Sequence, residues 1–240
     1  MSWRILFAVL AQLALCGNSS AQDACTQCPN LAPSDAWAEL AEGNGRFVSG
    51  NLKPRADACR RACTKDTQKP YAIVFSCSDS RVPSEIAIDQ RIGDLFVVRV
   101  AGNVASDEAI SSIEYAIDRL TTPKIIVVLG HERCGAVEAA LALQPARDLV
   151  PGIFNRIFAA ISGIEPTIPE ESLLTEAVQR NVRFNVKLLP TYSAVIRHAV
   201  TDLHVPFQGG VLQPRGMRTA ATSSPPAITR YCYSIGNATV

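Results

Sequence analysis

Two six-residue segments constrain this chain more than any other feature. Ser76-Cys77-Ser78-Asp79-Ser80-Arg81 follows the apolar run Tyr71 to Phe75, and Gly130-His131-Glu132-Arg133-Cys134-Gly135 follows Ile125 to Leu129. Short apolar runs rich in β-branched residues and bounded by turn residues read as buried strands. Two such strands therefore end in turns whose side chains can bind a metal. In open α/β sheets, ligands bind beyond the carboxyl ends of the strands. Cys77, His131 and Cys134, brought together there, would offer two thiolates and one imidazole, a set suited to zinc. Three protein ligands leave a fourth position for water, which distinguishes a catalytic from a structural zinc site. One cysteine after a strand is ordinarily a small buried hydrophobe. The specificity lies in two strand ends with compatible ligands.

Asp79 and Arg81 extend the first segment. Alternate residues of an extended turn point the same way, so Cys77, Asp79 and Arg81 can share a face. An exposed Asp–Arg pair contributes only roughly 0–1 kcal/mol. Beside a metal it acquires a use. Asp79 could fill the fourth position and close the site. Held by the Arg81 fork, it could instead accept a hydrogen bond from the bound water.

The 240 residues carry a net charge of +1 with scattered basic residues, so no electrostatic footprint of a nucleic-acid binder is present. Residues 1–21 read as a signal peptide: Arg4, an apolar core from Ile5 to Leu15, then Ser19-Ser20-Ala21 before Gln22. That core is too short to span a bilayer, and no later segment is long and apolar enough. The expected location is outside the cytoplasm, periplasmic or secreted. Disulfides persist there. Cys25, Cys28, Cys59 and Cys63 form an even set with three possible pairings, and a second zinc site is the alternative.

The lead-in spans 22–33, a catalytic domain 34–211, and an atypical tail, expected to be disordered, 212–240. Ser34 is expected to cap a helix carrying Trp37, Leu40 and Phe47, weakened by Gly43 and Gly45. Asn51 to Lys69 reads as a polar surface connection. Leu95 to Val100 is a further strand, and Ser106 caps a helix that Thr121-Thr122-Pro123 stops. Strand–helix–strand then predicts a right-handed crossover and a parallel pair with the strand from Lys124. Helices are expected from Gly135, over Ser172–Leu189 and over Ser193–Val200, with a closing strand within Leu203–Val211. The fold class is α/β, a mainly parallel sheet flanked by helices.

Cys-x-Asp-x-Arg followed by His-x-x-Cys-Gly in these contexts resembles the β-class carbonic anhydrases. Gly93-Asp94-Leu95-Phe96-Val97-Val98-Arg99 and Ser112-Ile113-Glu114-Tyr115-Ala116 join the resemblance, which runs from about Trp37 to about Gly210. It implies zinc, one per chain, held by Cys77, His131 and Cys134, with Asp79 and Arg81 as a gating dyad. It implies reversible hydration of carbon dioxide to bicarbonate and a proton by zinc-bound hydroxide. Gln68 would hydrogen-bond substrate across a dimer interface, Phe96 would line the apolar carbon dioxide pocket, and Gly135 would offer its N–H near substrate. The assembly implied is a homodimer or a multiple of dimers, with N-terminal helices wrapping the partner. His198 and His204 lie far along the chain and are not obvious proton shuttles. The chain departs from the family after Val211, where Gln213-Pro214 breaks the pattern. Alternatives are a zinc hydrolase of carbon disulfide or carbonyl sulfide on the same fold, a non-catalytic zinc- or bicarbonate-binding module, and a thiol–disulfide protein using Cys25 and Cys28.

Overall fold

The computed structural model describes residues 31–53, 57–121, 123–143, 152–164 and 167–212. The expected signal peptide, Cys25, Cys28, the Cys59 side chain and the tail beyond Leu212 lie outside the described residues.

Strands β1 (Ala72–Ser76), β2 (Leu95–Arg99), β3 (Ile125–His131) and β4 (Phe207–Leu212) form one parallel sheet. Their order is β2-β1-β3-β4. Every residue of β1 and β3 is buried, as continuous apolar runs in a sheet covered on both faces should be. The expected pairing of β2 with β3 is corrected: both flank β1, and the crossover passes over it. This order places a topological switch between β1 and β3. The chain leaves β1 toward one edge and β3 toward the other, which opens a crevice at their carboxyl ends.

Strand alternation sorts the core into two layers. Ile73, Phe75, Ile126 and Val128 face one side. There they meet α4 (Asp107–Tyr115), α5 (Gly135–Leu143), α6 (Ile153–Ile161) and α7 (Glu170–Tyr192). Ser106 caps α4 as expected, its hydroxyl accepting from Ala109 N at 3.3 Å. Close approach of α7 depends on two strand glycines. A Cβ on Gly130 would stand 2.5 Å from Val182 Cγ2, and one on Gly209 would stand 2.9 Å from Val182 Cγ1. A final helix, α8 (Ala194–Thr201), capped by Ser193, leads toward β4.

Ala72, Val74, Ile125, Val127 and Leu129 face the other side. That side is covered by α1 (Pro33–Ser49), through Ala36 and Leu40, and by the Ile88 segment after the one-turn α3 (Ser84–Ala87). One expectation changes here. The first helix starts at Pro33 with Ala32 as its flanking residue, so Ser34 lies inside the first turn and is not the cap. It also packs on its own sheet, which supplies the support that its propensity lacks. Gly43 is part of that packing, since a Cβ there would meet Ile88 O at 2.0 Å.

The polar connection between Asn51 and Lys69 holds a helix, α2 (Asp57–Thr64). Its Arg60 is fully buried, donates to Ile92 O at 2.9 Å and pairs with Asp94. A basic residue in a polar stretch gives no sequence sign of burial. The end of the domain also shifts by one residue. Leu212 is buried, pairs with His131 and accepts from Glu132 N at 2.9 Å, so it belongs to β4 and not to the tail.

Candidate metal centre

The switch point brings the two segments together through strand register. Ser76 pairs with Leu129, so Cys77 leaves β1 level with Gly130, one residue before His131. Arg133 then takes a left-handed conformation, φ +53°, which turns the chain out of the sheet into α5. Cys134 stands at that helix start, its carbonyl accepting from Glu138 N at 2.9 Å.

The donor atoms of Cys77, His131 and Cys134 all lie within 4.8 Å of one another, and all three residues are buried. The two sulfurs are 3.9 Å apart. Two sulfurs each about 2.3 Å from a tetrahedral zinc would stand about 3.8 Å apart. The His131 ring fits the same role. Its Nδ1 lies 3.0 Å from Glu132 O, which assigns the proton to Nδ1 as donor. Nε2 keeps the lone pair and is buried without a hydrogen-bond partner. Metal-binding histidines characteristically donate their other N–H to a carbonyl or carboxylate in this way.

The thiols share charge unequally. The Cys134 S–H directed at Cys77, with help from the Asp79 and Gly102 N–H groups, pulls the Cys77 thiol well below its ordinary value against burial. Cys134 is pushed up, first by its bond to Cys77, then by burial and the Cys77 charge. These outweigh the stabilisation that the start of α5 gives a thiolate. A divalent cation would reverse the balance and hold both as thiolates.

Asp79 is committed to Arg81 through both oxygens. Oδ1 accepts from the Arg81 backbone N–H and from Nε, each at 2.9 Å, and Oδ2 accepts from Nη2 at 2.8 Å. This bidentate pair holds the Asp79 carboxyl far below the usual carboxylate range. Oδ2 is 3.8 Å from His131 Nε2, beside the donor group but outside hydrogen-bond range. Arg81 Nη2 also donates to Arg133 O at 3.0 Å, tying the first loop to the second.

Gly135, exposed beside Cys134, is the remaining expected residue at this place. A Cβ there would meet nothing within 4 Å, so the chain's own packing does not demand a glycine. The structure does not bring Gln68 or Phe96 to the group within one chain. Gln68 is exposed ahead of β1, and that strand separates it from Cys77 by about 16 Å. Phe96 pairs with Ile73, four residues before Cys77, and stacks against the half-exposed Tyr115 at 6.2 Å.

Several contacts were not foreshadowed by the motifs. Gly102, at φ +67°, donates its N–H to Cys77 Sγ at 3.2 Å. Buried Asn181 on α7 donates to Gly102 O at 2.7 Å, and Asn185 accepts from Ala105 N at 3.2 Å. Two asparagines one turn apart on an otherwise apolar face were the available signal, since polar groups in such a stripe need partners. Arg99 donates to Cys77 O at 2.9 Å and to Asp79 O at 2.7 Å.

Comparison with known proteins agrees with this geometry. A family model described as carbonic anhydrase matches residues 72–215. The chain is 40% identical over 178 residues to carbonic anhydrase 2 of Mycobacterium tuberculosis, covering 72% of this chain and 84% of that protein. It is 45% identical over 135 residues to a carbonic anhydrase of Mycolicibacterium smegmatis, covering 56% of this chain and 65% of that one. Among solved structures it is similar to the β-carbonic anhydrase CcaA, with a TM-score of 0.58, 26% identity, and coverage of 75% and 85% of the two chains. The chain belongs to the β-class carbonic anhydrases.

Proposed function

We propose that this protein catalyses reversible hydration of carbon dioxide at a zinc ion held by Cys77, His131 and Cys134. The observation that carries the reading is the buried trio, with an unpartnered His131 Nε2, beside an Asp79 already locked by Arg81. Bound zinc supplies a Lewis acid that lowers the pKa of its water toward about 7, a magnitude belonging to three-histidine carbonic anhydrases. Two thiolates donate more charge than imidazoles and shift that value upward.

The chain's own groups do the rest. His131 is fixed by its Nδ1–H to Glu132 O, so its Nε2 lone pair would be free to hold the metal. Asp79 remains a carboxylate because Arg81 holds it, and beside the trio it would accept a hydrogen bond from a bound water and orient it. With both its oxygens engaged by Arg81, Asp79 would be a poor fourth ligand, which supports the catalytic reading over the closed, non-catalytic alternative. Gly135 N–H faces substrate. Gln68 would hydrogen-bond substrate across the interface with a second copy of the chain, making the working unit a homodimer or a multiple of dimers, and Phe96 would line the apolar carbon dioxide pocket. Export to the periplasm or medium rests on residues 1–21 alone.

The test is stopped-flow hydration of carbon dioxide by the full chain with zinc quantified, beside His131→Ala. Zinc near one per chain with turnover, both lost in the variant, is expected. Zinc without turnover would overturn the reading. Hydrolysis of carbon disulfide or carbonyl sulfide in its place would redirect the substrate.

A further inference from the structure

The ladder between β1 and β2 ends where the site begins. Arg99 pairs with Ser76, and the last bond runs from Val100 N to Ser76 O at 3.0 Å. Beyond it β2 no longer runs alongside the first loop. The Arg99 side chain takes over, with Nε donating to Cys77 O at 2.9 Å and Nη2 to Asp79 O at 2.7 Å. Two carbonyls, two residues apart, are held by one planar fork.

Phe96, Val98 and Val100 lie on the face that also holds Cys77. Alternation therefore starts the Arg99 side chain on the opposite face, where it grips the loop through its main chain. Arg81 holds the Asp79 carboxylate and reaches the second loop. The two arginines play separate parts. Arg81 fixes the side chain, and Arg99 fixes the backbone carrying both Cys77 and Asp79.

We propose that Arg99 is a positioning residue for the metal centre, setting the Cys77 sulfur and the Asp79 carboxylate in mutual register through their carbonyls. The proposal rests on the carbonic anhydrase reading for its activity arm only. A guanidinium presents donors in a rigid fork, whereas a lysine ammonium would be a single point that cannot reproduce it. Groups that orient a metal ligand without touching the metal commonly alter affinity or activity by about 10–100-fold.

The experiment compares the full wild-type chain with Arg99→Met, Arg99→Lys and Arg180→Met. Arg180 also donates to a main-chain carbonyl, Gly163 O at 2.7 Å, but away from the centre. Five quantities are read: melting temperature, zinc release to a chelator, the thiolate-to-metal band of the cobalt(II)-substituted protein, kcat and KM.

Arg99→Met should release zinc about 10–100-fold faster, move the cobalt band and lower kcat with little change in KM. Arg99→Lys should fall between it and wild type. Arg180→Met should move melting temperature alone. If Arg99→Met lowers melting temperature but leaves zinc release and the cobalt band at wild-type values, Arg99 is only structural and the proposal is overturned. If Arg99→Met does not fold, Arg99→Lys decides: faster zinc release supports the fork, and wild-type release overturns it. Failure of wild-type turnover would remove the carbonic anhydrase reading, while zinc release and the cobalt band would still decide the role of Arg99.

Discussion

Each end of the sheet buries polar groups, and the two ends treat them differently. At the amino end, Arg60 and Asp94 are almost wholly enclosed, with side-chain exposures of 1% and 3%. Their partners come from the chain itself: Asp94 Oδ2 accepts from Arg91 N at 2.8 Å, and Arg60 Nε donates to Ile92 O at 2.9 Å. Burial pushes the Asp94 carboxyl up, against the pull of the Arg91 N–H and the Arg60 charge. At the carboxyl end, two thiols and an imidazole are equally buried, yet His131 Nε2 has no protein partner. Buried polar groups satisfied by the chain are part of its architecture. Those left facing one another around a common point are arranged for something that the chain does not supply.

Substitutions at the two ends should therefore separate cleanly. The largest effect on function is expected from Cys77→Ser. It should abolish zinc retention and reduce carbon dioxide hydration to background while leaving the circular dichroism spectrum unchanged. Arg60→Met should do the opposite. Removing the buried Arg60 partner leaves Asp94 with Arg91 alone, its Nε at 3.6 Å, and should cost up to about 3 kcal/mol, read by denaturant unfolding, with zinc content and kcat of the folded protein unchanged. The pair Arg60→Met/Asp94→Asn should recover part of that loss, because the charge is removed while an acceptor for Arg91 N–H remains. Loss of zinc from Arg60→Met under native conditions would break the separation.

How much of the molecule is legible in its sequence follows from where the signal resides. The paired segments, strands β1, β2 and β3, and the Ser106 cap are legible because apolar runs, turn residues and metal-binding types are local patterns. Strand order is not, since one strand–helix–strand unit cannot reveal that β1 lies between β2 and β3. The burial of Arg60 is hidden because its partner is 34 residues away and nothing distinguishes it from the adjacent Arg61. The first helix reads as weak when Gly43 is judged by propensity, whereas its requirement comes from Ile88 O. Gln68, ahead of β1, and Phe96, level with Ile73, are not brought to the trio within one chain, and no local pattern in the sequence signals that distance.

Smaller effects sharpen the contrast at the site. Arg81→Ala should keep zinc but lower kcat by about 10–100-fold, because Asp79 loses its bidentate anchor and the link to Arg133 O. Full activity in this variant would remove the orienting role of Asp79. Gly135→Ala meets no steric obstacle, so melting temperature should hold or rise slightly, alanine being the better helix residue. A several-fold fall in kcat/KM would then mark a contact with substrate, and unchanged kcat/KM would remove it.

The smallest effect is in pH. Asp79 is held low in the folded chain, so its pairing with Arg81 stabilises the fold above the unfolded carboxylate value of about 3.9 and is lost as pH falls through the lower, folded value. The pair is partly exposed, so the difference between wild type and Arg81→Ala should be no more than about 1 kcal/mol at neutral pH, shrinking in acid. Denaturant titrations of the metal-free proteins at two pH values check the sign.

The most direct measurement is zinc K-edge X-ray absorption of the full-length, zinc-loaded protein at neutral pH. Two sulfurs at about 2.3 Å and light ligands at about 2.0–2.1 Å, with one of the latter exchangeable, are expected for Cys77, Cys134 and His131 with an open fourth position. A shell of four sulfurs, or one without sulfur, would contradict a catalytic zinc at this strand switch.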